Sequence, residues 1–270
     1  MLPRIGITLV CGLWFASYWS EVQVWFGDDG VMRTDLAAKL VAFDEYPRWQ
    51  VWSPLWWTDN QSMYLAWLII GIAVSVIAAT GIGGRWTLGC LLFLVIGWSN
   101  RLTWLSGLVE PALCAFLGYL LVFPGGRIFG KEASEENRAA WLSAAVNRLI
   151  QIHAWLLLAA TLLSQLIGVI WWRGESIWWL ASAGQSTLFT KEMLSDRPVL
   201  VNGLSHAWIA LEFGALWLLC TKSAQNLGIV CGVMSGLAIG LGGNQLLYGL
   251  LISAALLAYV RRGKSGQVQA

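Results

Sequence analysis

Apolar positions in this chain run in long blocks, without the alternation of amphipathic strands. Eight blocks can be read: Ile5–Trp19, Met63–Thr80, Trp86–Trp98, Leu108–Phe123, Asn147–Trp172, Val199–Cys220, Leu227–Leu241 and Gln245–Val260. The longest uncharged run lies between Arg148 and Arg173 and holds 24 residues. As one helix it would span roughly 36 Å, enough to cross a ~30 Å hydrocarbon core with some tilt. The pattern predicts an all-α polytopic transmembrane bundle of about eight helices in a single integral-membrane domain, residues 1–270. A β-barrel would instead show alternating segments of about ten residues. The first block has no good small-x-small cleavage site after Phe15 and reads as a retained helix.

Between blocks one and two, residues 20–61 form a polar outer loop with seven acids, Glu21, Asp28, Asp29, Asp35, Asp44, Glu45 and Asp59. Within it Trp49, Trp52 and Trp56 follow helical spacing and predict a short helix lying in the membrane interface. The stretch 261–270 is expected to be a short cytoplasmic tail.

The central block is not uniformly apolar. At 100° per residue, Asn147, Gln151, Thr161 and Gln165 fall on one stripe, with Ala154 and Leu158 between them. His153 and Ser164 form a second polar line. Amides and an imidazole are costly in hydrocarbon, so these faces are expected to turn toward a bundle interior or a wet cavity. In the seventh block Gly228, Gly232, Gly236 and Gly240 recur every four residues. Small residues at that spacing allow close backbone contact. Packing inside the bundle is the expected use, and a homodimer through this helix is the alternative.

Composition agrees with a membrane solvent. The chain is 57% hydrophobic and 12% charged, against about 25% charged for soluble domains. The net charge of +2 gives no reason to expect a nucleic-acid partner. With the N-terminus inside, ten basic residues fall on the inner side and seven on the outer, while the outer loops take ten of the fifteen acids. The positive-inside bias therefore places both termini in the cytoplasm of a multi-pass inner-membrane protein. Twelve of the 19 tryptophans collect at the outer face, which suggests loops folded over a cavity mouth. The five cysteines show no CxxC pair and no disulfide framework.

Candidate chemistry is sparse. No dinucleotide, Walker or nucleophile-elbow motif occurs, and His153 and His206 have no ligand-spaced partners, so no metal is expected. Two carboxylates lie within crossings. Glu110 is placed to reach Arg101 as an ordinary ion pair. Glu212, in mid-helix, is a functional candidate because intramembrane ionisable groups are retained at a cost. Ser205 shares its helix face and His206 lies about 120° round. A protonated Glu212 bonded to a neighbouring helix is the structural alternative.

Four stretches carry a family resemblance: YWSEVQVWFGDDGV, SNRLTWLSGLVEPALCAFLGYLLVFP, NRLIQIHAWLLLAATLLSQLIGVIWWRGES and LSHAWIALEFGALWL. In this order the chain resembles the HTTM domain family, the membrane part of vitamin K-dependent gamma-carboxylase and its bacterial relatives. The resemblance covers about Ile5 to Ala258. It implies a base at the lysine of a Lys-Leu pair, where this chain has Gln165 and Leu166. It also places Glu212 at a family glutamate and His153 where relatives often have glutamine. A histidine common in relatives has no counterpart in GLAIGLGGNQLL. Glutamine cannot replace a desolvated lysine as a base. The chain is therefore expected to lack vitamin K-dependent carboxylase activity and, with it, any firm claim on a reduced-quinone cofactor. The expected function is binding of a lipid, quinone or peptide in an outward-facing cavity lined by Gln151, His153, Thr161, Gln165, His206 and Glu212. Two alternatives are an oxidoreductase or carboxylase-like enzyme with Glu212 or His153 as a relocated base, and a proton-coupled transporter using Glu212 and His206.

Overall fold

The computed structural model describes residues 2–26, 30–36, 39, 52–58, 60–102, 107–122 and 136–260. Among these residues all the regular structure is helical, with no strand. Four helices are long and apolar enough to cross a membrane: Gln61–Thr80, Trp141–Ile167, Pro198–Cys220 and Gln225–Gly242. The apolar helices Leu2–Ser17, Val109–Val122 and Leu246–Tyr259 hold only 10–17 residues. At 1.5 Å per residue such helices reach at most about 26 Å, short of a ~30 Å core.

The chain divides into two compact units, Pro3–Val146 and Asn147–Ala270. The first contains α1 (Leu2–Ser17), the short α2 (Val22–Trp25), α3 (Gln61–Thr80), α4 (Gly84–Arg101) and α5 (Val109–Val122). Helices α3, α4 and α5 pack in sequence. α1 lies against α3 through small residues, since a Cβ on Gly71 would fall 2.7 Å from the Phe15 ring. Arg4 is buried there, and its Nε donates to the Ala78 carbonyl at 3.0 Å. α3 ends because Gly81 takes a left-handed conformation, φ 84°, and returns its N–H to Ala78. Of the expected interfacial helix, Trp49 lies outside the described residues. Pro54–Trp57 forms a single 3-10 turn, pinned where Ser53 donates to the Gly97 carbonyl at 2.5 Å. The connection Arg127–Glu135, Trp104 and the tail 261–270 also lie outside the described residues.

The second unit takes the main length of α6 (Glu136–Ile167), the one-turn α7 (Val169–Trp172), α8 (Ser176–Ser182), α9 (Lys191–Leu194), α10 (Pro198–Cys220), α11 (Gln225–Leu237) and α12 (Leu246–Leu256). The uncharged run expected as one helix through Trp172 breaks at Gly168, which adopts an extended conformation, φ −80° and ψ 118°. The carbonyls released by the break are satisfied locally. The Gly168 amide meets Gln165 O at 3.0 Å, and the Trp172 indole donates to Leu166 O at 2.6 Å. Backbone groups freed at apolar depth require such partners.

α10, α11 and α12 form consecutive hairpins. The glycine line of α11 faces inward at their contacts. A Cβ at Gly228 would lie 2.6 Å from Leu219 N of α10, and one at Gly236 would lie 2.7 Å from Gly249 O of α12. These two glycines leave no room for a side chain at their contacts within the unit. Beyond α11 the backbone widens into a π-turn over Ala238–Gly242. The Leu241 carbonyl there accepts from Thr187, from its N–H at 3.0 Å and from its hydroxyl at 2.6 Å.

Candidate functional site

α6 carries a buried stripe and is bonded to α10 through Trp155 and Gln165. The stripe is apolar at Ile150, Ala154, Leu158 and Leu162, and polar at Gln165. Ser205, Trp208, Glu212, Ala215, Leu216 and Leu219 are buried on α10. Trp155 of α6 donates its indole N–H to the Leu216 carbonyl at 3.2 Å. Nearly three turns further along α6, Gln165 Nε2 donates to Glu212 Oε1 at 2.9 Å. The same Oε1 accepts from the Trp208 indole, one turn back on α10, at 2.7 Å. Glu212 is wholly buried, and Gln165 is 4% exposed.

The remaining oxygens are left over. Glu212 Oε2 and Gln165 Oε1 are both buried without a hydrogen-bond partner. Both are acceptors on groups joined by one hydrogen bond. Such orphans cost about 1–3 kcal/mol each, more where charge is involved. Tyr248 of α12 completes the cluster, lying beside Thr161 and within electrostatic reach of Glu212. Thr161 turns its own hydroxyl to Leu157 O at 3.0 Å. Trp208 is held from the far side. Trp171 meets its ring edge-on at 5.5 Å, and Gly242 leaves room for it, since a Cβ there would fall 2.6 Å from the indole.

A groove runs along the α6–α10 seam next to this cluster. It encloses about 430 Å³ and is lined by Trp155, Leu162, Phe213, Leu216, Trp217, Cys220 and Thr221. Leu162 stands one turn from Gln165, and Leu216 one turn from Glu212. Gln165 and Glu212 do not line the groove themselves, and Leu162 and Leu216 bring its lining within one turn of the pair.

Several residues singled out in the sequence are placed elsewhere. Gln151 serves the opposite end of α6, donating to Ala258 O at 2.7 Å and accepting from Arg148 at 3.2 Å. His153 is half-buried three turns from Gln165. His206 is exposed and bonds the Asn202 carbonyl at 2.9 Å. Ser205 accepts from the Ile177 amide at 3.3 Å and donates to Val201 O at 2.9 Å, so it secures α8 and does not face Glu212.

The expected Arg101–Glu110 ion pair does not form. Glu110 Oε1 accepts from the Trp14 indole at 3.1 Å and the Tyr18 hydroxyl at 3.3 Å, while Oε2 accepts from Gly107 N at 2.7 Å. Arg101 turns to the Tyr64 hydroxyl at 3.1 Å and the Met32 carbonyl at 2.5 Å, with its guanidinium 5.3 Å from the Phe26 ring centroid. Aromatic rings and neutral oxygen acceptors are among the partners of this buried cation.

Trp208 and Tyr248 were not anticipated as site residues. Trp208 had a usable signal, since it sits four residues before Glu212 on one helix face. Tyr248 had none, because only the α10–α11–α12 turns bring it near. Among the described residues no group of three or more His, Cys, Asp or Glu could hold a metal ion, and all five cysteines are free. No family model, no curated protein and no solved structure matches this chain.

Proposed function

We propose that this chain is a polytopic integral membrane protein whose working site is the α6–α10 seam. There an apolar or amphipathic ligand from the bilayer, a lipid or a quinone, lies in the groove and turns its polar end to Glu212 and Gln165. The reading includes about eight crossings with both termini cytoplasmic. The observation that carries the ligand site is the pair of orphaned oxygens, Glu212 Oε2 and Gln165 Oε1, on residues one helical turn from the lining of a 430 Å³ apolar groove. That volume lies within the range of small-molecule sites, about 300–1,000 Å³. The resemblance to the HTTM family supports the same place, because it singles out positions 165 and 212. Titration of the purified protein with a short-chain benzoquinone tests the site. Quenching of tryptophan fluorescence should saturate, and Phe213→Arg should abolish the saturable part. Unsaturable quenching that is the same in both proteins would contradict the reading.

A second reading rests on the Gln165–Glu212 contact. With 2.9 Å between them, a titratable group reaches Gln165, the position that the resemblance matches to the family's lysine. Glu212 is then a relocated base. On our primary reading, purified protein forms no epoxide from reduced vitamin K. Epoxide formed by the wild type and lost in Glu212→Gln would establish the second reading instead.

A further inference from the structure

We propose that the Glu212 site takes a lipophilic organic cation and gives up the carboxyl proton in exchange. This rests on the groove reading above and adds the charge of its occupant.

The argument starts from charge balance. Glu212 is the sole Asp or Glu between residues 197 and 270. The polar groups around it are Gln165 and Thr161 from α6, Trp208 from its own helix and Tyr248 from α12. All are neutral, and Tyr248 is the one titratable side chain among them. Across the hairpin, α11 contributes glycine and serine, with Gly232, Ser235 and Gly236 buried. The basic residues of α10 and its flanks stand at the helix ends. Arg197 is fifteen residues away and Lys222 ten, about 22 Å and 15 Å along the axis.

A carboxylate buried with no cation carries a large desolvation cost. Two occupants remove it. One is a proton on Oε2, which makes the group a neutral acid whose O–H can be given to an acceptor such as Gln165 Oε1. The other is a positive ligand beside the same oxygen. Both states are electrically neutral, so they exchange without leaving a net buried charge. On cation entry the Glu212 O–H bond breaks, its electron pair stays on the carboxylate, and the proton passes to water. Cation release runs the same step backwards. No electron is transferred.

The groove suits the same class of ligand. Trp155, Phe213 and Trp217 supply aromatic faces that attract cations and accommodate apolar bodies. No basic side chain lines it, so an anion of equal shape gains nothing there.

The probe is tetraphenylphosphonium, with tetraphenylborate as its anionic counterpart of similar shape. In weakly buffered detergent solution the phosphonium should bind saturably and release up to one proton per cation. Where Glu212 is protonated, its apparent affinity should fall about tenfold for each pH unit lowered, because proton and cation compete. Glu212→Asp should keep proton release with weaker binding. Glu212→Gln should release none and lose the pH dependence. Equal binding of the phosphonium and the borate would overturn the cation proposal while leaving the groove intact. Phosphonium binding without proton release would overturn the exchange. Failure of both ions and of the benzoquinone to bind saturably would remove the groove itself.

Discussion

Glu110 and Glu212 are both buried glutamates, and each takes an indole N–H on Oε1, Glu110 from Trp14 and Glu212 from Trp208. They differ at the other oxygen. Glu110 Oε2 receives the Gly107 amide at 2.7 Å, so both of its oxygens are occupied. Glu212 Oε2 receives nothing. Position explains the contrast. Glu110 lies in the first turn of α5, where unpaired amides and the positive end of the helix dipole favour a carboxylate. Glu212 lies in the middle of a 23-residue helix whose own amides are already bonded. The first glutamate therefore acts as a clasp holding α1 and the turn before α5. The second has capacity to spare, and spare hydrogen-bonding capacity at depth is costly unless something uses it.

Three substitutions sharpen this contrast. Glu110→Leu should have the largest effect, because it leaves the Trp14, Tyr18 and Gly107 donors unpaired. At about 1–3 kcal/mol for each of the three orphans, the loss is about 3–9 kcal/mol and should appear as a large drop in the melting temperature of the detergent-solubilised protein. Glu110→Gln comes next, at about 1–3 kcal/mol, because the amide points a donor at groups that are already donors. Glu212→Gln should be smallest, within about 1 kcal/mol of wild type. There the amide keeps an acceptor for Trp208 and offers a donor where acceptors stand empty. Glu212→Gln melting as far below wild type as Glu110→Gln would erase the distinction.

The helices were legible because hydrophobic blocks and their stops are local properties. Block two, read as Met63–Thr80, ends at Thr80 in the structure, and Gln165 and Glu212 stood out as polar groups at apolar depth. The pairings were not legible, since they depend on which helices lie side by side. Spacing on α10 put Ser205 on the face of Glu212, but Ser205 is taken by the Ile177 amide, while His206, 120° round, is exposed. Proximity in sequence suggested Arg101 for Glu110, whereas Trp14 and Tyr18 reach it from α1, more than ninety residues away. The break at Gly168 was masked by apolar residues on both sides. Apolar character fixes depth in the membrane more firmly than it fixes helix continuity. The α11 glycines show what small residues at every fourth position permit, close approach, here to α10 and α12.

The account's central claim is that Glu212 is a working acid and Glu110 a structural one. The most direct test is labelling with dicyclohexylcarbodiimide, an apolar reagent that modifies protonated carboxyl groups, followed by peptide mapping of the intact protein. The adduct should form on Glu212, be suppressed by tetraphenylphosphonium, and be missing from Glu110. Modification of Glu110 with Glu212 untouched would contradict the account.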